Sequence, residues 1–591
     1  MHLINFRLSN LRLYGIGPSM EKKWQILQPD AEAVNELSAR LHCHPITATI
    51  LLNRNLTSAQ EASSFVAASL SKVRSPFSLK DMNGAVQRIY RAIIDHEKIL
   101  IFGDYDVDGI TATAVLLDFF REIGARVSAY IPHRIKEGYS LQTHHIHDYA
   151  LPNRIQLIIT ADCGSGSHDA IIAALNSGID VIITDHHTIS EKIPPAAAVL
   201  NPKRHDCQAG MQMLAGVGVA FSLLIGLRKY LRDHHFWKDR PEPNLKNLCD
   251  LVALGTIGDR VPLVEENRIF SKVGLALINS STRPGLSALR KVAGIANEPT
   301  DAEDIAFRLA PRLNAAGRMD HASVALKLLT TGDNTTARQQ AEYLNSLNNR
   351  RQEQERLILD AIFSDFQRYP ERLKKRTLVC WHPEWHQGVI GIVASRIMER
   401  YFRPAVVIAI DGEIGKGSAR SIPGLNLFNA LQDCQHCLEN FGGHSMAAGL
   451  TIRAKKLVEF QHAFEEAVTQ MTRPDDWIPK MTIDAEINFS DISDNLINEI
   501  ETLSPFGNGN PEPVFMARDV KVVSSKIVGK NHRKMVLAQD AGRVQNTFQA
   551  IRFNADGRMQ TETAFTQIAF RLRWNRWNAN KISQLIIEDA R

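Results

Sequence analysis

Apolar runs of three to five residues recur between residues 99 and 200, and each is closed by polar or titratable positions. Residues 99–102 run into Gly103 and Asp104, and 157–160 into Ala161 and Asp162. Residues 181–184 end at Asp185, His186 and His187, and 198–200 at Asn201 and Pro202. Stretches of helical periodicity, 110–123 and 168–177, lie between them. Short apolar strands alternating with helices predict an α/β fold with a parallel, doubly wound sheet. Ligands of such sheets bind beyond the carboxyl ends of the strands. Three of these ends in succession carry carboxylates or imidazoles.

The pattern changes on either side. Residues 30–95 read as short helices, and residues 1–80 form an N-terminal helical preface whose first 19 residues are expected to be dispensable. The sheet belongs to a domain at 81–335. Residues 336–368 predict one long connecting helix. No apolar residue stands between Asn348 and Arg356, so that stretch is expected to be solvent-exposed on all faces. A second α/β domain follows at 369–474, with strands at 377–380 and 405–410, a helix at 389–401 and Gly-rich segments at 415–421 and 442–449. From 475 to 591 short alternating segments, such as 520–523 and 565–572, predict a small OB-like β-barrel.

Composition narrows the class. Of 591 residues, 44% are apolar and 23% charged, which are ordinary globular values and exclude a disordered or low-complexity chain. Seven scattered cysteines fit reduced thiols in a cytoplasmic protein. Cys434 and Cys437 form a lone CxxC without the second ligand pair that structural zinc requires. No apolar run reaches the length of about 18 residues that a membrane span needs. The net charge is only +5, yet 13 of the basic residues fall between Ala517 and Lys581 against four acids. The C-terminal module is therefore strongly basic and the rest of the chain slightly acidic.

The strand-end residues form one set: Asp104, Asp106, Asp108, Asp162, Asp185, His186 and His187, joined by Asp259. So many anions on one sheet edge repel and call for bound cation. Mixed carboxylate and imidazole ligands suit Mn²⁺ or Mg²⁺, as one or two ions, better than structural zinc. A calcium loop of EF-hand type would need Glu where Val115 stands. For Asp108 a plain helix N-cap is an alternative. Arg134, Arg312, Arg318, Arg420 and His444 are the candidate phosphate contacts, and the two Gly-rich segments permit close backbone approach to a phosphate chain. In the basic module the candidate nucleic-acid contacts are Lys526, Lys530, Arg533, Lys534, Arg571, Arg573, Trp574, Arg576 and Trp577, cations interleaved with aromatic rings. At least half of that module's Phe residues are expected to fill its core.

Asp-Tyr-Asp-Val-Asp-Gly at 104–109, Asp-Cys-Gly at 162–164, Asp-His-His at 185–187 and Gly-Asp-Arg at 258–260 resemble, in order and spacing, the motifs of the DHH phosphoesterase superfamily. Residues 312–318 resemble a further motif of its exonuclease branch, and Gly-Gly-His-Ser-Met-Ala-Ala-Gly at 442–449 resembles the associated DHHA1 domain. The resemblance implies a DHH domain, a DHHA1 domain and an OB-like module. Its pyrophosphatase branch has His four positions before the first motif Asp, where this chain has Leu100.

The implied activity is single-strand-specific 5′→3′ exodeoxyribonuclease, releasing 5′-mononucleotides by two-metal hydrolysis, in DNA repair and recombination. By the same resemblance Asp162 bridges two ions and Asp104 holds one. Asp106, His186 and Asp259 hold the other, and Asp108 and Asp185 orient the ligands. His187, Arg420 and His444 meet the scissile phosphate, and Arg134, Arg312, Asn314 and Arg318 bind substrate. The partners implied are single-stranded DNA and, by family, a single-strand-binding protein and a helicase, with the chain acting as a monomer in the bacterial cytoplasm. Two other readings stay open: a hydrolase of small phosphates such as pyrophosphate or cyclic dinucleotides, and a non-catalytic nucleic-acid scaffold.

Overall fold

Five strands of the first lobe lie parallel in the order Val127–Tyr130, Ile99–Gly103, Leu157–Ala161, Asp180–Thr184 and Ala198–Leu200. The connection reverses direction between the second and third of these, so the crevice opens where Asp104 and Asp162 leave the sheet. The computed structural model describes residues 22–280, 283–529, 531–541, 544–555, 557–577 and 580–591. The suggestion about residues 1–19 lies outside them.

Burial of the strands on both faces explains their apolar composition. The helix Val107–Glu122 packs on one face with Gly216–Asp233 and Cys249–Gly258, in one core with Phe119, Phe221 and Leu254. The helix His168–Asn176 covers the other face, over Phe102, Ile158 and Ile183. The doubly wound reading holds.

The connecting helix runs from Asn334 to Arg368, about 50 Å at 1.5 Å per residue. Its polar stretch is not exposed on all faces: Asn348, Arg351 and Glu355 are buried. Arg351 donates to Asn348 Oδ1 at 2.9 Å and to Glu355 Oε2 at 3.2 Å, and Arg396 of the second lobe reaches Glu355 Oε1 at 3.2 Å. Pairing within the helix and with Arg396 offsets most of the cost of burying these groups, and apolar periodicity alone does not register such a face.

In the second lobe the sheet order is Leu438–Gly443, Ala447–Arg453, Ile414–Arg420, Ala405–Asp411, Leu378–His382. Only the last pair is parallel. The Gly-rich segment 415–421 falls largely on the central strand Ile414–Arg420. A Cβ at Gly415 would meet Ile408 at 2.8 Å, and one at Gly417 would meet Leu450 at 2.6 Å. These glycines make room for core side chains, which corrects their reading as a phosphate cradle.

The C-terminal module is a closed barrel. Phe515–Val528, His532–Ala541, Val544–Arg552, Asn580–Ala590 and Ala564–Trp577 pair in turn, and the last pairs back with the first. Phe565 and Phe570 lie in its core and Phe548 packs against it. The N-terminal residues are no free-standing preface. Lys23–Ile26 pairs in parallel with Lys480–Ile483, and Leu37, Ile50, Leu51 and Ala62 share the barrel's core.

The barrel also docks on the first lobe. Arg268, 1% exposed, stacks over Phe65 at 3.7 Å and donates to the carbonyls of Phe65, Thr502, Ser504 and Pro505. Arg573 joins Glu303 at 3.1 Å across the same junction. The lobes and barrel thus enclose a cleft of about 2700 Å³, lined by Arg308, Arg351, Arg396, Lys526 and Lys534 among others. Arg268→Ala strips the carbonyls of Phe65, Thr502 and Ser504 of their donor, while Pro505 O keeps Asn510, so it should cost about 3 kcal/mol or more. It should lower the thermal unfolding midpoint and expose residues 502–510 to protease, and an unchanged midpoint would show that those carbonyls find other donors.

Candidate metal and phosphate site

The carboxylates gather because most sit where a strand stops or a helix starts, and Asp259 where the helix Cys249–Gly258 ends. Asp104 directly follows Ile99–Gly103, and its backbone N–H donates to Ala161 O at 3.1 Å. Asp106 is the N-cap of Val107–Glu122, one oxygen accepting from the N–H groups of Asp108 and Gly109. The cap is therefore Asp106 and not Asp108. Asp108 is buried in the first turn and accepts from Gly216 N at 2.7 Å and Val217 N at 2.8 Å, which ties two helix starts together. Asp162 stands at φ 65°, a left-handed conformation costly for a non-glycine residue and often kept at functional sites.

Asp185 organises the imidazoles. It accepts from the N–H groups of Ser165, His186 and His187 and from His187 Nδ1 at 2.8 Å. Despite burial, the His187 bonds hold its carboxyl far below the usual range. His187 opposes its own burial through that same partner and is pushed up to about 9, hence cationic at neutral pH. His186 is the reverse: burial and the neighbouring His187 bring it to about 3, so it is neutral. Its Nδ1 lies 3.0 Å from Leu214 O and donates there, which leaves the Nε2 lone pair 3.3 Å from Asp162, 3.6 Å from Asp259 and 3.7 Å from Asp108. That is how ligating histidines are oriented.

Burial first, and then mutual repulsion, raise the carboxyls of Asp104, Asp162 and Asp259 well above their ordinary range, and that of Asp108 to about 7. Asp104 Oδ1 and Asp162 Oδ1 are buried without a hydrogen-bond partner. Three sets of ligand atoms each fall within 4.8 Å of one another: Asp104, Asp106 and Asp162; Asp108, His186 and Asp259; Asp162, His186 and His187. Orphaned buried oxygens in such sets fit hard divalent cations, with Asp162 common to two of them. Asp106 stands with Asp104 and Asp162 rather than with His186 and Asp259.

Cations face this cluster. The Arg134 guanidinium lies 4.8 Å over the Tyr105 ring. Arg318 donates to Gly388 O of the second lobe at 3.0 Å, and burial with Arg134, Arg351 and Arg420 brings it down to about 9. Arg420 donates to Ser395 Oγ, Ser418 Oγ and Ala419 O, and burial, then the neighbouring Arg134, lower its guanidinium as well. His444 Nε2 lies 3.2 Å from Thr188 Oγ1, a contact between the lobes. Guanidinium groups crowded without carboxylate partners form an anion site. Two expected members stand apart. Arg312 donates to Asn345 Oδ1 and Arg308 O, and Asn314 Oδ1 accepts the Val107 N–H at 2.7 Å, which places both in support of the Asp106 turn and the connecting helix. Tyr139 had no assigned role, yet its hydroxyl is 3.2 Å from His187 Nδ1.

In the barrel the candidate contacts divide. Arg533 is 2% exposed and donates to Met559 O, Glu562 O and Ser525 Oγ, so it pins the barrel and cannot meet DNA. Arg571 pairs with Glu512 and Glu588, Arg573 with Glu512 and Glu303, and Arg576 with Glu501. These three arginines are thus held by acids of neighbouring segments while their side chains remain partly exposed. Trp574 donates to Asn498 Oδ1, and Lys581 lies 4.1 Å over its ring. Lys526 is exposed, opposite half-buried Lys534 on paired strands. Lys530 and the Trp577 side chain lie outside the described residues.

Family models match three segments: the DHH family N-terminal domain over 98–256, the DHHA1 domain over 374–470 and the RecJ OB domain over 483–589. The single-stranded-DNA-specific exonuclease RecJ of Bacillus subtilis is 36% identical over 575 residues, 96% of this chain and 70% of the relative. The Escherichia coli protein of that name is 35% identical over 584 residues, 96% of this chain and 99% of the relative. A crystal structure of RecJ with Mn²⁺ from Thermus thermophilus superposes with a TM-score of 0.81 at 29% identity, covering 96% of this chain and 79% of that one.

Two outcomes follow from the carboxylate geometry. A Cβ on Gly216 would meet Asp162 Oδ1 at 2.3 Å. Gly216→Ala should therefore weaken Mn²⁺ binding by roughly 10- to 100-fold in a direct titration, and unchanged affinity would remove Asp162 from the ligand set. The raised carboxyls contribute stability to the metal-free protein that is fully present below about pH 4. For Asp108 it is lost as pH rises through about 7. A divalent ion takes the ionised forms, so Mn²⁺ binding near pH 7 should release protons and tighten with pH, read by calorimetry in buffers of different ionisation enthalpy.

Proposed function

We propose, from the premise that the chain belongs to the RecJ family of single-stranded-DNA-specific exonucleases, that it removes nucleotides one at a time from the 5′ end of a single strand. It is a metal-dependent nuclease, and Mn²⁺ or Mg²⁺, the ions held in crystal structures of relatives, is its cofactor. The observation that carries the reading is the opposition of two unbalanced charge clusters. Buried carboxylates with orphaned oxygens lie at the sheet edge of the first lobe, and guanidinium groups of both lobes, without carboxylate partners, stand around them.

Asp104, Asp106 and Asp162 would hold one ion, and Asp162, His186 and Asp259 a second. Bound there, the ions supply Lewis-acid stabilisation of the charge that develops on a phosphoryl group during displacement. Asp108 and Asp185 keep the ligands aimed by accepting backbone N–H groups at helix and strand ends. His187, held cationic by Asp185, offers an N–H to a phosphoryl oxygen, and His444 approaches from the opposite lobe. Arg134, Arg318 and Arg420 suit the terminal 5′-phosphate, because each planar guanidinium fork can donate to two of its oxygens at once.

Lys526 and Lys534 would contact the strand in the central cleft. Sequence-tolerant binding of this kind rests on the phosphate backbone and weakens with salt. The monomeric state, a bacterial cytoplasmic location, and association with a single-strand-binding protein and a helicase belong to the same reading and rest on the family resemblance alone. No helix among the described residues is long and apolar enough to cross a membrane.

Digestion of 5′- and 3′-labelled single strands with Mn²⁺, beside duplex and pyrophosphate, tests the proposal. Label should leave the 5′ end first, the duplex should resist, and Asp162→Asn should lower turnover by roughly a thousandfold while sparing DNA binding. Prompt release from the 3′ end only, or turnover of pyrophosphate alone, overturns it.

A further inference from the structure

Lys203 belongs to none of the motifs above, yet it stands at the edge of the carboxylate cluster. It follows the strand Ala198–Leu200 by three residues, on a segment fixed from within. Asn201 Nδ2 donates to Ser165 Oγ at 2.8 Å and to His187 O at 2.9 Å, and its Oδ1 accepts the Lys203 N–H at 2.9 Å. The next residue, Arg204, is buried and committed to Asp81, Asp206 and Val199 O. Lys203 is exposed, and among the described residues no ion pair engages it. Its ammonium acts electrostatically on His186 and Asp259 of the first lobe and on His444 of the second.

The cations of the site are therefore split between two ends. Arg134, with Arg318 and Arg420 near it, acts at the Asp104 end. Lys203 acts at the end marked by His186 and Asp259. Asn201, bonded to His187 O, roots Lys203 beside the Asp-His-His turn, so Lys203 is placed to meet a strand that is held by the arginines at its terminal phosphate and crosses the carboxylates. An exposed lysine fixed at its root and lacking a carboxylate partner is suited to one phosphate oxygen, as a point charge.

We propose that Lys203 binds the phosphate one linkage beyond the scissile bond, and so sets the register of the strand for cleavage. The assignment rests on the 5′-end reading given above. It makes Lys203 a positioning residue that touches substrate rather than the reacting atoms.

The test pairs Lys203→Ala and Lys203→Arg with a 5′-phosphorylated single strand carrying one neutral methylphosphonate between its second and third nucleotides. Single-turnover release of the first nucleotide is measured with Mn²⁺. In the unsubstituted enzyme the neutral linkage should slow release on the order of tenfold. Lys203→Ala should lose a similar factor on the natural strand, should suffer little further loss on the neutral one, and should show a salt dependence of binding lower by about one ion. Lys203→Arg should recover most of the rate. Equal sensitivity of Lys203→Ala and the unsubstituted enzyme to the neutral linkage overturns the contact. Labels at both ends of the strand separate the two failures, because release from the 3′ end by the unsubstituted enzyme overturns the polarity, whereas retained 5′ release with full sensitivity in Lys203→Ala overturns only Lys203.

Discussion

Repulsion among buried aspartates is the constraint around which this protein is built. Asp104, Asp108, Asp162 and Asp259 are brought together with their charges largely out of water, an arrangement that opposes folding unless it is compensated. The structure compensates where it can with backbone N–H groups: Asp108 takes two from the start of one helix, and Asp106 takes two from the start of another. Asp185 is satisfied so completely that it stays ionised and turns His187 into a cation. The residual demand falls on Asp104 and Asp162, whose bare oxygens are what a divalent ion needs. Metal affinity and apo-state strain are thus one quantity seen from two sides.

The second lobe answers the first in kind. Its Arg420, with Arg318 and Arg134 of the first lobe, presents positive charge with no carboxylate bonded to it, and beside them burial keeps His444 neutral. Both contacts described between the lobes at the crevice, Arg318 to Gly388 O and His444 to Thr188 Oγ1, use residues of the phosphate site itself. Substrate binding and lobe separation are therefore coupled through the same side chains. Behind the crevice the connecting helix is held against the second lobe by an apolar seam, Ile358, Leu359, Ile362 and Phe366 against Val389, Ile390 and Val393, and by the buried row Asn348, Arg351, Glu355, which Arg396 joins from the other side.

Much of the first lobe was legible because apolar strands ending in acids form a signal within a few residues of chain. The sheet and the crevice follow from it, as does the gathering of Asp104, Asp162 and His186, whereas Asp259 comes from the end of a helix and needs the motif resemblance. Two of the misreadings share one cause: charged residues are also found buried. Arg533 alternates with Met535 and Leu537, and strict period-two counting places it on the inward face. Asn348, Arg351 and Glu355 likewise fall on the helix face that carries Leu344, Ile358 and Ile362. What local pattern could not supply is partnership across long separations. Glu303 and Glu512, the acids that neutralise Arg573, lie 270 and 61 residues away, and Lys203 earns notice only once His444 of the other lobe stands near it.

The pairing of Lys23–Ile26 with Lys480–Ile483 has a bearing on biosynthesis. The N-terminal strand and the three short helices after it leave the ribosome first, but the core they complete includes Phe489, Phe515 and Phe570. At about 5 to 20 residues per second, these early segments wait tens of seconds for partners more than 450 residues downstream. The first lobe can fold in the meantime, because its sheet and helices are contiguous in the chain. The barrel is then the last unit to close, and nascent chains are most vulnerable at their oldest end, where exposed apolar helices are open to chaperones until synthesis is nearly done.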